Sequence, residues 1–265
     1  MISQWFGKIG HQTLLFFGRV YDATELTIDA LYWMVVAPVR GKGLRWRTSV
    51  EQMVIVGVNS IPLIAMLSFI VGMILALQGA YVLRPFGAVI YVADLVGVTM
   101  TRELAPLVAA IIVTGRSGSA FAAEIGTMIV SEEVDALTTI GLNPIKFLVV
   151  PKLLAIIIMQ PCLTMVANVV SMLGGLFIAV TLLDVGAIRY INETFSVLVL
   201  QDIVTGLIKS LFFAVIIALV GCYEGFQVEG GAEGVGIHTT ASVVKSIVFI
   251  ILADLFVTIF FYFFL

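Results

Sequence analysis

Five stretches of this chain are apolar and long enough to cross a lipid bilayer as helices, which restricts its fold more than any other feature. They run over about 53–82, 92–114, 147–183, 195–222 and 243–265. A hydrocarbon core about 30 Å thick takes roughly 20 helical residues. The third and fourth stretches exceed that and must tilt or project beyond the core. With 61% hydrophobic residues, 12% charged residues and a mean hydropathy of +1.15, the chain lies far outside the soluble range. It reads as an all-α integral membrane protein. A net charge of −3 gives no reason to expect nucleic acid or any strongly charged partner.

Residues 26–36 are apolar but too short to span, and Arg19, Asp22, Glu25 and Asp29 surround or interrupt them. The chain therefore divides into 1–48, helices lying in the membrane interface with Trp5, Phe6, Phe16 and Phe17 as anchors, and 49–265, the spanning domain. Ten basic residues (Lys8, Arg19, Arg40, Lys42, Arg45, Arg47, Arg116, Lys146, Lys152 and Lys245) fall on one side of the membrane, against Arg84 and Arg189 on the other. By the positive-inside rule the N-terminus is cytoplasmic, and an odd number of spans puts the C-terminus outside. No secretory signal is expected, since charges run through the N-terminus without a cleavage site. Cys162 and Cys222 sit in apolar runs without a CxxC, and read as packing residues rather than a disulfide or metal site. His11 and His238 are far apart and are expected at interfaces.

Charges stand deep inside three of the spans: Arg102 and Glu103 in the second, Lys209 in the fourth and Asp254 in the fifth. A charge at the bilayer centre costs about 3 kcal/mol on insertion scales, so each needs a partner or a wet cavity. Adjacent helical residues point about 100° apart, so Arg102 and Glu103 should not satisfy each other. Pairing Glu103 with Lys209 and Arg102 with Asp254 gives a neutral set of four, the least costly arrangement in a low dielectric. Asp202 lies seven residues before Lys209 on the same face and is an alternative partner. Such charges either brace helices or line a cavity. Ile70, Ile74, Leu77 and Tyr81 recur at helical spacing in span one and form either a cavity wall or an ordinary packing stripe. Ser68 with Gly72, and Ser171 with Gly175, are small-residue pairs suited to helix contacts or a dimer interface.

Between spans two and three lies GRSGSAFAAEIGTMIVSEEVDALTTIGLNPIK. Ser131 is the expected N-cap of a short helix there, with Glu132 and Glu133 at the positive end of its dipole and Gly141 with Pro144 as its stop. Val134, Leu137 and Ile140 give that acidic helix one apolar side, which makes it either a solvated connector or a docking element for a cytoplasmic partner. The later loop carries five glycines between Tyr223 and Ile237 but lacks GxxxxGK[ST], so tight turns are expected, with Thr239, Thr240 or Ser242 capping the last helix. No nucleotide site and no cofactor are expected in this chain. ATP-driven transport would need a separate ATPase.

The stretch MTRELAPLVAAIIVTGRSGSAFAAEIGTM from Met100, followed by SEEVDAL, resembles the MlaE/YrbE permeases of bacterial lipid-transport ABC systems. GGAEGVG with the TT and VV that follow, LQGAYVL at 77–83 and the LIKS at 207–210 are similar to the same family, and the resemblance covers roughly 50–265. It implies a homodimeric permease with five transmembrane helices and an N-terminal interfacial helix. It also implies two cytoplasmic ABC ATPase subunits and a periplasmic MCE-domain protein, typically a hexamer, in the bacterial inner membrane. Phospholipid, or a related lipid, would be the substrate, and the system would maintain outer-membrane lipid asymmetry. Some relatives carry a STAS-type domain, for which this chain has no room, and a STAS-domain subunit is a further partner the resemblance allows. On this resemblance Glu132, Glu133, Asp135 and Leu137 look like an ATPase-coupling helix. Ile70, Ile74, Leu77, Tyr81, Arg102, Glu103 and Lys209 look like the lipid cavity, with Asp202 and Asp254 as charge partners. The competing reading is an ion-coupled secondary transporter using Glu103 and Asp254. Inverted repeats would favour it, and five spans show no matching halves. An intramembrane lipid enzyme would need a nucleophile, base or metal at one depth, and the five spans contain no histidine.

Overall fold

The computed structural model describes residues 18, 21–36 and 45–264. The expected anchors Trp5, Phe6, Phe16 and Phe17, and His11, lie outside the described residues. Residues 21–31 form α1, which runs into one π-turn at Tyr32–Val36. Leu26 and Ala30 are buried, while Asp22 and Glu25 face outward together with Tyr21 and Ile28. There follow α2 (Trp46–Val56), α3 (Ile61–Leu83), α4 (Val89–Val130), α5 (Glu133–Thr139), α6 (Ile145–Leu182), α7 (Ala187–Val197), α8 (Leu200–Phe226) and α9 (Ala232–Phe264). All regular structure among the described residues is helical. Five segments are long and apolar enough to cross a membrane: Trp46–Phe86, α4, α6, α8 and α9.

Several boundaries differ from the sequence expectation. The stretch expected to loop out after span two continues as helix to Val130, because Phe121, Ala122 and Ile125 bury against α8 and keep the helical pattern paying out beyond the bilayer. Ser131 is not an N-cap: it closes α4, its hydroxyl bonded back to the Met128 carbonyl, and Glu132 takes the cap position in the left-handed region at φ +58°. Span four starts at Leu200 rather than near 195, since Leu198 and Val199 are extended and 187–197 forms the separate helix α7. The last helix starts at Ala232, eleven residues before the apolar run at 243. Thr239 and Thr240 are therefore inside it, bonded to the carbonyls of Val235 and Gly236 instead of capping.

Helix α6 is the hub, packed against α2, α3, α4 and α8. Its contact with α3 is parallel and very close: a methyl group at Gly72 would overlap the Ser171 carbonyl, and one at Gly174 would overlap that of Phe69. The small residues of the sequence thus pack helices within one chain. Helix α9 lies at the periphery on α8 and α4, with Phe249, Leu252, Leu255, Phe256 and Ile259 turned outward.

Candidate functional site

The intramembrane charges converge where α4, α8 and α9 meet. Span two is not a regular helix there. Met100–Leu104 forms a π-turn, closed by the Ala105 N–H on the Met100 carbonyl. Pro106, which lacks the N–H that would bond the Arg102 carbonyl, explains the widened turn. Helix α8 approaches this turn because residue 206 is glycine, and a methyl there would overlap the Thr101 carbonyl. Gly206 sits between Asp202 and Lys209, so the close approach brings both onto the neighbours Arg102 and Glu103.

Lys209 is fully buried. Its ammonium donates to the Glu103 carboxylate and to Thr258 Oγ1 at 2.7 Å, and lies 3.0 Å from Asp254 Oδ1. Thr258 in turn donates to the Asp254 carbonyl at 2.7 Å, which locks the α9 side of the cluster. Arg102 Nη1 stands 3.6 Å from Asp202 Oδ1. Asp202 also accepts the Val199 N–H at 3.2 Å through its other oxygen, tying the start of α8 to span two. The pairing of Arg102 with Asp254 is therefore corrected: Asp254 shares Lys209 with Glu103, and Arg102 takes Asp202. The set is two cations and three carboxylates, one negative charge in excess. Arg102 and Glu103 keep 39% and 35% of their side-chain surface open, while Lys209 keeps none.

The apolar stripe of span one is elsewhere. Ile70, Ile74, Leu77 and Tyr81 all face outward, Tyr81 at 81% exposure, on a helix packed mainly against α6 and the first half of α4. One chain does not bring this stripe against Lys209. On α5, Glu132, Glu133 and Asp135 are exposed, Leu137 is half-buried, and the expected apolar side is split: Val134 turns in as an anchor and Ile140 stays exposed.

Four further polar contacts escaped the sequence reading. Buried Glu224 holds Lys245 (2.5 Å) and His238 Nδ1 (3.1 Å), which places His238 in the first turns of α9, packed on α8. Lys152, also buried, pairs with Glu124 at 2.8 Å, and Arg116 donates to Ser60 Oγ at 2.7 Å. The seven-residue spacing of His238 and Lys245 was the available signal. On the buried side of α7, burial pushes the Tyr190 phenol up to about 12. Cys222 is buried and Cys162 exposed, and among the described residues no three metal-ligating side chains gather.

A bundle of five apolar helices that keeps a half-open set of charges between them is that of a multi-pass membrane protein. The profile of the family described as Permease MlaE matches residues 49–260, and the chain belongs to that family. A probable ABC transporter permease protein from Rickettsia typhi is 40% identical, over 94% of this chain and 95% of its own length. One from Synechocystis is 37% identical, over 94% and 92%. The chloroplastic protein TRIGALACTOSYLDIACYLGLYCEROL 1 of Arabidopsis thaliana is 34% identical, over 89% of this chain and 68% of its own.

Proposed function

We propose that this permease moves phospholipid, or a related lipid, across or out of the membrane under the drive of a separate ABC ATPase, and that the Lys209 cluster handles the lipid headgroup. The observation that carries this reading is the cluster itself. Arg102 and Glu103 are partly open while their partners are buried, so a phosphate can approach Arg102 and an ammonium can approach Glu103 without unpairing Lys209. A single excess negative charge suits a headgroup that brings a cation with it. The diacylglycerol lipid in the Arabidopsis relative's name supports a lipid substrate class. Two copies of the chain, with Ile70, Ile74, Leu77 and Tyr81 facing the shared space, would supply the apolar walls that one copy leaves outward. Helix α5 and its cap would dock on the ATPase through Glu132, Glu133, Asp135 and Leu137. An MCE-domain protein on the opposite face would take the lipid onward, from a bacterial inner membrane with the N-terminus cytoplasmic, in service of outer-membrane lipid asymmetry.

The excess carboxylate charge also favours a second reading, an ion-coupled transporter in which Glu103 or Asp254 carries a proton. Proteoliposomes holding the permease, its co-purified ATPase and a fluorescent phospholipid decide between them. Lipid movement should require ATP and should survive an uncoupler. Glu103→Arg should abolish it while ATPase association is retained, and Glu133→Arg with Asp135→Arg should release the ATPase. Movement driven by a proton gradient without ATP would replace the first reading with the second.

A further inference from the structure

We propose that Lys152 and Glu124 are a positioning pair, the joint that lets a push on helix α5 reach the mid-membrane charges. The inference rests on the ATP-driven reading above. Helix α5 hangs from the tail of α4, residues 119–130, across the short turn at Ser131 and Glu132. Helix α8 grips that tail at backbone distance. A methyl at Gly221 would stand 2.9 Å from the Gly118 carbonyl, and one at Gly225 only 2.7 Å from Ile125 Cβ. Val228 and Val235 close on Gly126, so the start of α9 joins the same body. Packing this close leaves no slack for sliding, and the tail moves with α8 and α9. These three helices also supply Glu103, Lys209 and Asp254.

The hub helix α6 meets the tail differently. Their backbones stay apart, and the long side chain of Lys152 spans the gap. Its ammonium is buried, 2.8 Å from Glu124 Oε1 and over the Phe121 ring at 5.5 Å. A charge-assisted bond of this kind is a tie of fixed length. It matters because α4 has a compliant point directly above the tail, the π-turn Thr114–Gly118. Glu103 lies beyond that turn, about 30 Å from Glu124 at roughly 1.5 Å per residue. With the tie in place, α6 holds the tail in line and displacement of α5 is carried along α4. Without it the helix bends at the π-turn, and the motion is spent before it reaches Glu103 and Lys209.

The test reads the lipid moved per ATP hydrolysed, in proteoliposomes holding the permease, its co-purified ATPase and a fluorescent phospholipid. Glu124→Gln should lower that ratio about tenfold, the loss expected of one charge-assisted hydrogen bond. ATP hydrolysis and ATPase association should persist. Because Glu124→Gln leaves a buried ammonium unpaired, a second variant, Glu124→Gln with Lys152→Met, removes both charges and should keep the wild-type unfolding midpoint. Its ratio should stay as low as that of the single variant. A wild-type ratio in the double variant would overturn the proposal. So would a fall in transport that only follows an equal fall in hydrolysis and unfolding midpoint, which is the behaviour of a plain brace. Wild-type protein that moves no lipid with ATP would overturn the ATP-driven reading and this role with it. A changed ratio in the variants alone bears on the pair and leaves that reading standing.

Discussion

Lys209 is the residue on which the mid-membrane charges depend. It has no exposure and holds two carboxylates and a hydroxyl, so Lys209→Met leaves Glu103 and Asp254 unpaired in a low dielectric. Breaking a buried pair from one side costs about 3–5 kcal/mol, whereas replacing a whole buried ionic set by neutral groups of similar shape is often near neutral. Lys209→Met should therefore lower the unfolding midpoint in mixed lipid–detergent micelles steeply. The triple variant Lys209→Met, Glu103→Gln and Asp254→Asn should recover most of that loss. Lipid transport should stay absent in the triple variant, because the headgroup contacts are gone. Recovery of both stability and transport would make the cluster a brace. Sequence alone identified the charges and the Glu103–Lys209 contact, since few residues of opposite sign stood inside the spans. It set Asp254 ahead of the alternative, Asp202, as the partner of Arg102 because pairing for neutrality ignores depth: Asp202 lies close to the wide turn of span two, and Gly206 allows α8 to come near enough. Nothing in helical periodicity reports such an approach.

At the scale of elements, two prolines recur in the same relation to a π-turn. Met100–Leu104 precedes Pro106 and Ile145–Val149 precedes Pro151, each by two residues. In both, the missing proline N–H removes one α-type bond and the helix widens by a residue ahead of it. At the second, the carbonyl so released, that of Phe147, has Arg45 Nη1 within 3.5 Å. At the first, the widened turn carries Arg102 and Glu103 and sets their angle to α8. Pro106→Ala restores the missing donor and favours a regular turn, worth up to about 3 kcal/mol on the helix propensity scale. The expected outcome is an unfolding midpoint that is unchanged or higher, with lipid transport reduced. Unchanged transport would show that the turn merely accommodates the proline. Span existence was legible from hydropathy over 18 or more residues, but helix ends were not. The helical tail of span two, the early start of α9 and the separate α7 depend on burial among neighbours and on two extended residues, Leu198 and Val199.

For the whole molecule, the polar ends of the bundle differ in charge and shape. The end bearing α5 gathers Lys146, Lys152, Arg116 and Lys245, with the projecting tail of α4. The opposite end has Arg84 and Arg189 and the short helix α7, whose Ile188 and Phe195 are exposed in the manner of a helix resting on the interface. The positive-inside bias counts residues near span ends in short loops, and here every connection between spans is short. Single cysteines at Ser131 and Gly186, in a chain with Cys162 and Cys222 replaced by alanine, should consequently react with a membrane-impermeant maleimide from opposite sides. In intact spheroplasts Gly186→Cys should label at once, and Ser131→Cys only after permeabilisation. The reverse pattern would place α5 outside the cell, away from any ATP, and would remove the coupling role proposed for it. Labelling of both positions before permeabilisation would mean that the number of spans inserted is even.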